Sequence, residues 1–351
     1  MIKFFFIVLN FLFLSGCSNL NYLVNSVQGH LEVINKTKSV DDLLIEKNLN
    51  ENLKKKLILA KEARVFAFNE LGIKKNNSYT TYADLNRAAV VWNVVAADEF
   101  SLELEEWCFV IIGCFKYRGF FDYKDAEEFS KKLLKEKNLE ISIIPVPAYS
   151  TLGWSSILGG DPILNTFINY SDSSFVALIF HEFAHQEIYV KDDTTFNESF
   201  ATAVEKIAVN QWLVKKNNLK EIEVFKKNTQ RKKNFYKQIF FLKHNLDKIY
   251  KKNISYEEKR KLKESLMSDF RNTLLFELGK YKFITEGDRN WINKINNSYV
   301  GSVGLYQDLV PSFESLFKRN NNSWKAFFND VKRISKLDKN KRRIVLKKLL
   351  K

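Results

Sequence analysis

Two of the four histidines of the chain stand four residues apart, in the segment His181-Glu182-Phe183-Ala184-His185. If this segment is helical, both imidazoles leave one face of the helix, about 40° apart around the axis, and can bind one metal ion. Glu182 projects beside them and need not bind the metal, so its carboxylate is available for proton transfer. The spacing predicts a metal-dependent hydrolytic site. The alternative is a pair of core histidines that other partners satisfy.

A third protein ligand is expected, because a catalytic zinc site has three protein ligands and one open position for water. Residues 196–205 follow closely and supply Glu198, since a short connection after His185 would pack two helices antiparallel and return this carboxylate toward the histidines. Glu198 also has capping-box spacing from Thr195, so a purely structural role is the alternative. Glu205 lies on the same helix face. It is either a hydrogen-bond acceptor for a ligating histidine or a solvated surface carboxylate.

The predicted chemistry is hydrolysis of a peptide bond with one Zn²⁺ ion. Bound zinc would lower the pKa of its water to about 7, and Glu182 would take the proton and pass it to the leaving amine. A tyrosine hydroxyl is suited to stabilise the oxyanion. The candidates are Tyr149, Tyr299 and Tyr306, each of which has the alternative of being a core or surface aromatic.

Hydrophobic periodicity predicts an α+β chain that is mainly α-helical with a small sheet. Strands are predicted at 88–97 and 107–115. Helices are predicted at 39–71 with a break near 48–50, at 124–137, at 174–189 with Asp172 as cap, from 195 to beyond 212, at 220–252, 255–280 and 288–297, and as a last pair within 309–348. Because no linker marks a boundary, residues 39–351 are predicted to form one domain, with a basic helical region at about 215–263.

Residues 139–154 (LEISIIPVPAYSTLGW) are rich in β-formers and contain two prolines, Pro145 and Pro147. Proline lacks the N–H group that a central strand needs, so this segment is predicted to be an edge strand. It precedes the helix that is predicted to carry His181 and His185. An unpaired strand edge can hold an extended peptide. The candidate substrate-binding residues are therefore Ala148, Tyr149, Ser150, Thr151 and Gly153.

The N-terminus has the pattern of an export signal. Lys3 is followed by an apolar run, residues 4–14, that is too short to span a bilayer comfortably. Leu14-Ser15-Gly16-Cys17 resembles a bacterial lipobox, which implies removal of residues 1–16 and lipidation of Cys17; a plain secretory signal is the alternative. Residues 17–38 are predicted to be a tether. Ser18 resembles the outer-membrane sorting pattern, so the expected location is the bacterial cell envelope, on the outer membrane facing the periplasm.

The remaining composition bears on partners and on redox state. The formal net charge is +15, but the lysines are scattered along helical stretches, so a solvated surface attracted to anionic lipid is favoured and no nucleic-acid partner is expected. Cys108 and Cys114 lie in an apolar stretch of a chain predicted to be exported. Both a disulfide and two buried free thiols remain open, because a disulfide also needs Cα atoms within about 7 Å.

The two motif segments, HEFAH and FNESFATAVE, resemble those of the gluzincin peptidases and, within them, a bacterial family of predicted aminopeptidases. The resemblance extends from about Trp107 to Trp212. It implies a gluzincin-like metallopeptidase fold in which the edge strand of a small sheet precedes the HExxH helix. It also implies specific roles: zinc ligation by His181, His185 and Glu198, acid/base catalysis by Glu182, and support of a ligand by Glu205.

Two departures from the better-known zinc aminopeptidases concern specificity. Only twelve residues separate His185 from Glu198, and residues 148–154 contain no carboxylate for the free amine of a substrate. The sequence predicts zinc-dependent, aminopeptidase-like peptide hydrolysis at the cell envelope and leaves the choice between exopeptidase and endopeptidase open. The alternative is a lipid-anchored, zinc-binding envelope protein that acts as an interaction module without significant peptidase activity.

Overall fold

The computed structural model describes residues 17–109, 113–137, 139–148, 160–280, 282 and 284–350. Within these ranges the helices are α1 (Cys17–Asn35), α2 (Val40–Ile45), α3 (Glu51–Asn69), α4 (Tyr123–Glu136), α5 (Asn165–Ile168), α6 (Asp172–Glu187), α7 (Thr194–Lys216), α8 (Leu219–Tyr250), α9 (Tyr256–Gly279), α10 (Glu286–Asn293), α11 (Asn297–Gln307), α12 (Val310–Arg319), α13 (Trp324–Ser335) and α14 (Lys339–Lys348). The strands are β1 (Thr37–Ser39), β2 (Thr81–Ala83), β3 (Val91–Asp98), β4 (Trp107–Phe109), β5 (Gly113–Phe115), β6 (Arg118–Phe120), β7 (Leu139–Val146) and β8 (Ile163–Leu164). The chain is mainly helical with small sheets, which confirms that part of the predicted fold class.

The largest strand pairing joins β3 and β7, which run antiparallel from Val91 opposite Val146 to Asp98 opposite Leu139. The sheet order is β6-β3-β7, so β7 is an edge strand among the described residues, as its prolines indicate. A second small sheet has the order β1-β2-β8. The edge strand lies directly before the segment 149–159, which is outside the described residues.

The predicted strand 107–115 is a hairpin, β4–β5, whose residues 110–112 are outside the described residues. Cys108 and Cys114 are opposite each other in this hairpin, with Cα atoms 3.9 Å apart, and a disulfide joins them. The hairpin also contacts the connection between α6 and α7, because the backbone N–H of Cys114 donates to Asp192 Oδ1 at 2.8 Å. A local cross-link therefore stabilises a hairpin that lies against this connection.

The main hydrophobic cluster surrounds α6 and α7 and draws on α3 and the C-terminal helices. Phe180 and Phe183 of α6 and Phe200 of α7 are fully buried in it, and Phe200 contacts Phe313 and Phe327. A helix that is apolar on nearly every side must lie inside the protein. The apolar residues around the histidine motif explain why α6 is central.

A second cluster is built mainly by α8, α9, α10 and α11. Ile239, Leu242 and Leu246 of α8 are almost completely buried, and they belong to one cluster with Met267 and Phe270 of α9. These residues recur at three- and four-residue spacing, which places them on one face of each helix. The opposite face of α8 is exposed to solvent.

Residues 17–38, for which the sequence predicts a tether, form α1 and β1 instead. Gly29 brings α1 so close to Phe121 that a Cβ atom at this position would lie 2.2 Å from the ring. Tyr22 packs edge-on against Phe120, and Val33 is fully buried. This packing depends on a glycine, a residue that ordinarily favours loops, so helical periodicity alone does not indicate it.

Other elements differ from the predictions in smaller ways. Three helices, α12 to α14, follow residue 309 where a pair is predicted. Ser171, rather than Asp172, caps α6 by accepting a hydrogen bond from the N–H of Ser174, while Asp172 pairs with Lys56 at 2.6 Å. Among the described residues, no helix has the length and apolar content needed to cross a bilayer.

Candidate metal centre

The connection between α6 and α7 is short and tightly held. Asp193 caps α7 by accepting a hydrogen bond from the N–H of Phe196 at 3.2 Å. The buried amide of Asn197 accepts from the N–H of Val190 and donates to its carbonyl, both at 2.8 Å. Because Asn197 immediately precedes Glu198, this closed turn fixes where α7 begins. Thr195 does not cap the helix, so the capping-box alternative for Glu198 does not hold.

Two helices bring three potential metal ligands together. His181 Nε2 lies 3.2 Å from His185 Nε2, and Glu198 Oε2 lies 3.4 Å from the first of these atoms and 3.7 Å from the second. The three side chains form a group that can hold a metal ion. Both imidazoles come from α6 and the carboxylate comes from α7, as the sequence predicts.

The distances fit ligands arranged around one ion. With metal–ligand distances of about 2.0–2.1 Å, a tetrahedral site places its donor atoms about 3.3 Å apart. The observed separations of 3.2 to 3.7 Å match this value. They are longer than the hydrogen bonds of about 2.7–2.9 Å that a carboxylate makes with a charged nitrogen donor. Two imidazoles and one carboxylate are also a common ligand set for catalytic zinc.

The two histidines are oriented by different means. His181 Nδ1 lies 3.2 Å from Glu205 Oε2, so Glu205 can accept its N–H and leave Nε2 available to a metal. Burial raises the pKa of Glu205, but His181, Lys232 and Lys206 outweigh it, and the pKa falls below its usual value. Glu205 is thus not a solvated surface carboxylate. His185 Nδ1 is buried without a hydrogen-bond partner among the described residues, so packing holds that ring.

Two carboxylates at this centre have opposite electrostatic environments. Burial raises the pKa of Glu182, and the charges of Glu198 and Asp161 add to it, whereas the histidines oppose it. Burial would also raise the pKa of Glu198, yet the two histidines outweigh it and lower the pKa to about 2. Glu198 is therefore suited to remain an ionised ligand, and Glu182 is suited to accept and return a proton.

The other predicted site residues are less closely connected with this centre. Ala148 is buried in the main hydrophobic cluster, while Tyr149, Ser150, Thr151 and Gly153 lie outside the described residues. Tyr299 follows its core alternative, because it packs edge-on against Trp291 and burial raises its pKa to about 12. Tyr306 is in the last turn of α11, and its side chain lies outside the described part of the structure.

One tyrosine near the centre escapes sequence analysis. Burial raises the pKa of Tyr117 well above its usual value, and the charges of Glu198 and Glu182 raise it further. The Tyr117 hydroxyl therefore lies within electrostatic reach of both carboxylates. Tyr117 precedes β6, far from the histidine motif in the chain, so no local spacing indicates this proximity.

A polar network begins at the C-terminal end of α6, the helix that carries His181 and His185. The side-chain amide of Gln186, next to His185, donates to Asp161 Oδ2 at 2.8 Å and to Ser78 Oγ at 3.0 Å. Its side-chain oxygen accepts a hydrogen bond from the Asn76 amide at 2.9 Å. The network connects α6 to two segments that lie far away in the chain. It also fixes Asp161, whose charge acts on Glu182.

A family model matches residues 21–346, a range that includes most of α1 and both motif helices, α6 and α7. The chain belongs to the family described as "Putative aminopeptidase". Membership in this family indicates an aminopeptidase-type hydrolase with a peptide as substrate. No curated protein and no solved structure matches the chain.

Proposed function

We propose that this member of the aminopeptidase family hydrolyses peptides with one zinc ion, which His181, His185 and Glu198 hold. The observation that carries the proposal is the convergence of two Nε2 atoms and one carboxylate oxygen within 3.2 to 3.7 Å of one another. Zinc is favoured over magnesium or calcium because two of the three donors are imidazole nitrogens. Three ligands leave a fourth position open, as catalysis requires.

Each side chain at the centre has a distinct task. Zinc bound there would supply a water molecule that ionises near neutral pH and would polarise the substrate carbonyl. Glu182 takes a proton from the attacking water and passes it to the nitrogen of the leaving amine. Glu205 holds the N–H of His181 Nδ1 and so keeps Nε2 directed at the metal position.

The substrate is proposed to lie beside the edge strand. An extended peptide would continue the β6-β3-β7 sheet beyond β7, and the predicted binding residues after Ala148 lie outside the described residues. The side chain of Ala148 is buried, so its contribution would come from the backbone. This arrangement would hold a peptide through its main chain.

We further propose that the enzyme works at the bacterial cell envelope, anchored by lipid on Cys17 and facing the periplasm from the outer membrane. The lipobox-like sequence before Cys17 supports this, and Cys17 is the first residue of α1. Metabolic labelling with a fatty-acid analogue is expected to label the wild-type chain and not Cys17→Ser. Equal labelling of Cys17→Ser would contradict lipid attachment at Cys17.

Hydrolysis is tested with a library of peptides on wild-type protein, with and without a chelator. The expected results are loss of cleavage with chelator, recovery with added zinc, and a rate reduced by about 10²–10⁴-fold in Glu182→Gln, which still binds one zinc ion. Glu136→Gln, an exposed carboxylate at the end of α4, is the matched control. Wild-type activity in Glu182→Gln would exclude Glu182 as the acid/base. A zinc-bound wild type that cleaves nothing would favour the non-enzymatic interaction module.

A further inference from the structure

The outward face of α8 has a regular surface that the catalytic proposal does not use. Seven exposed residues recur there at spacings of three and four, which places them within about 80° around the helix axis over a length of about 33 Å. We name this face the basic stripe. It consists of Lys226, Gln230, Lys233, Lys237, Phe241, His244 and Lys248.

The positive charge of the basic stripe is not neutralised within the protein. Among the described residues, none of its four lysines forms a salt bridge. The two nearest acidic residues of α8 already have partners, because Glu223 pairs with Lys227 at 2.7 Å and Asp247 pairs with Lys251 at 2.6 Å. Between these two acids, α8 contains no other acidic residue and seven basic ones: Lys226, Lys227, Arg231, Lys232, Lys233, Lys237 and Lys243.

The basic stripe is not needed to hold α8 in place. The helix is anchored by its opposite face, where Ile239, Leu242 and Leu246 are buried in the second hydrophobic cluster. Phe241 is 68% exposed and is not part of that cluster, although its neighbour Leu242 is buried. The ring of Phe241 is therefore in line with the lysines and would touch any surface that the lysines contact.

We propose that the basic stripe binds the surface of an anionic lipid bilayer. Lysines near such a surface are attracted to its headgroups, and an aromatic ring gains by entering the boundary between headgroups and acyl chains. A hydrated polyanion would match the lysines but would offer nothing to the ring of Phe241. Because the stripe contains one large apolar residue, the attraction is mainly electrostatic, and the helix lies on the membrane without spanning it.

This proposal is tested on the whole chain from residue 17 with Cys17→Ser, so that no acyl group contributes. Co-sedimentation with vesicles of phosphatidylcholine alone is compared with vesicles that also contain phosphatidylglycerol. Binding is expected only to the anionic vesicles, and it should weaken as salt rises. Failure to bind anionic vesicles at low salt would overturn the proposal without touching the zinc site.

Two triple variants locate the interaction. Replacing Lys226, Lys233 and Lys237 by Gln is expected to weaken vesicle binding about 100-fold, because each lysine near a charged membrane contributes about fivefold. The control changes three exposed lysines of the C-terminal region, Lys336, Lys347 and Lys348, to Gln and removes the same charge. Equal loss in both variants would show that net charge, and not the stripe, attracts the membrane.

Phe241→Ser separates a bilayer from other anions. This variant is expected to bind anionic vesicles several-fold more weakly and soluble polyphosphate as well as the wild type does. If Phe241→Ser binds vesicles normally while the Lys226, Lys233, Lys237 variant loses vesicles, polyphosphate and duplex DNA alike, the stripe is a general polyanion site. That result would contradict a lipid surface as its partner.

Discussion

The helix pairs α6–α7 and α8–α9 differ in the kinds of side chain that they bury. The first pair encloses polar and charged side chains: Glu182 is buried beside the two histidines, Asp193 and Asn197 are buried with specific hydrogen-bond partners, and Glu205 is partly buried against His181. The second pair is held by apolar residues such as Ile239, Leu242 and Met267, and most of its lysines lie at the surface. A buried polar group is costly unless it is hydrogen-bonded, so an interior rich in such groups indicates a chemical task. The apolar interior of α8–α9 only supports the fold.

This contrast has a direct experimental consequence. Substitutions in the interior of α6–α7 should change metal binding, whereas substitutions in the interior of α8–α9 should change stability alone.

Asp193→Ala is expected to be the most disruptive substitution. Asp193 accepts hydrogen bonds from Arg342 at 2.9 and 3.0 Å, pairs with Arg343 and caps α7, and its side chain is 1% exposed. Its removal takes the only carboxylate partner among the described residues from the buried guanidinium of Arg342 and from the partly buried one of Arg343, at a cost of about 3–5 kcal/mol measured by urea denaturation, and zinc affinity should fall. Asp41→Ala, which breaks an exposed pair with Lys61, should cost at most about 1 kcal/mol. Similar losses in the two variants would contradict this assignment.

Leu242→Ala is expected to separate stability from metal binding. Leu242 is 1% exposed, and its truncation in a close-packed cluster should cost about 2–5 kcal/mol in the free energy of unfolding. Zinc stoichiometry and affinity, measured by titration at low temperature, should stay at wild-type values. A loss of zinc affinity greater than tenfold would break the contrast between the two helix pairs.

Asn197→Ala is expected to loosen the turn before Glu198. The N–H of Val190 would lose its side-chain acceptor, at about 1–3 kcal/mol, while its carbonyl keeps a hydrogen bond from the N–H of Asp193 at 3.3 Å, and zinc affinity should fall with stability. Asn197→Asp keeps the acceptor but turns a second carboxylate oxygen toward the Val190 carbonyl in a buried site, so it should lose at least as much stability as Asn197→Ala. If Asn197→Ala has the same free energy of unfolding and the same zinc affinity as the wild type, the turn does not position Glu198.

Glu205→Gln is expected to have the smallest effect on the fold and a specific effect on the metal. An amide in place of the carboxylate should weaken zinc binding about 10–100-fold, because the partner of the His181 N–H loses its charge. Glu127→Gln, which alters an exposed carboxylate paired with Lys131 at 2.7 Å on α4, is the control and should leave zinc affinity unchanged. An unchanged affinity in Glu205→Gln would mean that His181 is oriented by packing alone.

Much of the helical framework and the convergence of the three candidate metal ligands could be predicted from the sequence because their signals are local. The predicted helices 124–137 and 220–252 differ by one or two residues from α4 and α8. His181 and His185 are one helical turn apart, so their convergence follows from helix geometry. The prediction that Glu198 lies beside the two histidines required only one further assumption, a short connection between the two helices.

Other parts of the site depend on contacts between distant segments, which no local pattern contains. Asp193 and Arg342 are 149 residues apart in the chain, and Gln186 and Ser78 are 108 apart. Tyr117 comes within electrostatic reach of Glu198 only in the folded protein, because the two residues are far apart in the chain. The packing of α1 was missed for a related reason, since it rests on the close approach of Gly29 to Phe121.

The most direct test of the account is the zinc content and zinc affinity of the purified protein, compared with those of Glu198→Gln, His185→Ala and Thr195→Ala. We expect one tightly bound zinc ion in the wild type and in Thr195→Ala, and a large loss of affinity in Glu198→Gln and His185→Ala. Wild-type affinity in Glu198→Gln, or a wild type that binds no zinc, would contradict a metal centre made by α6 and α7.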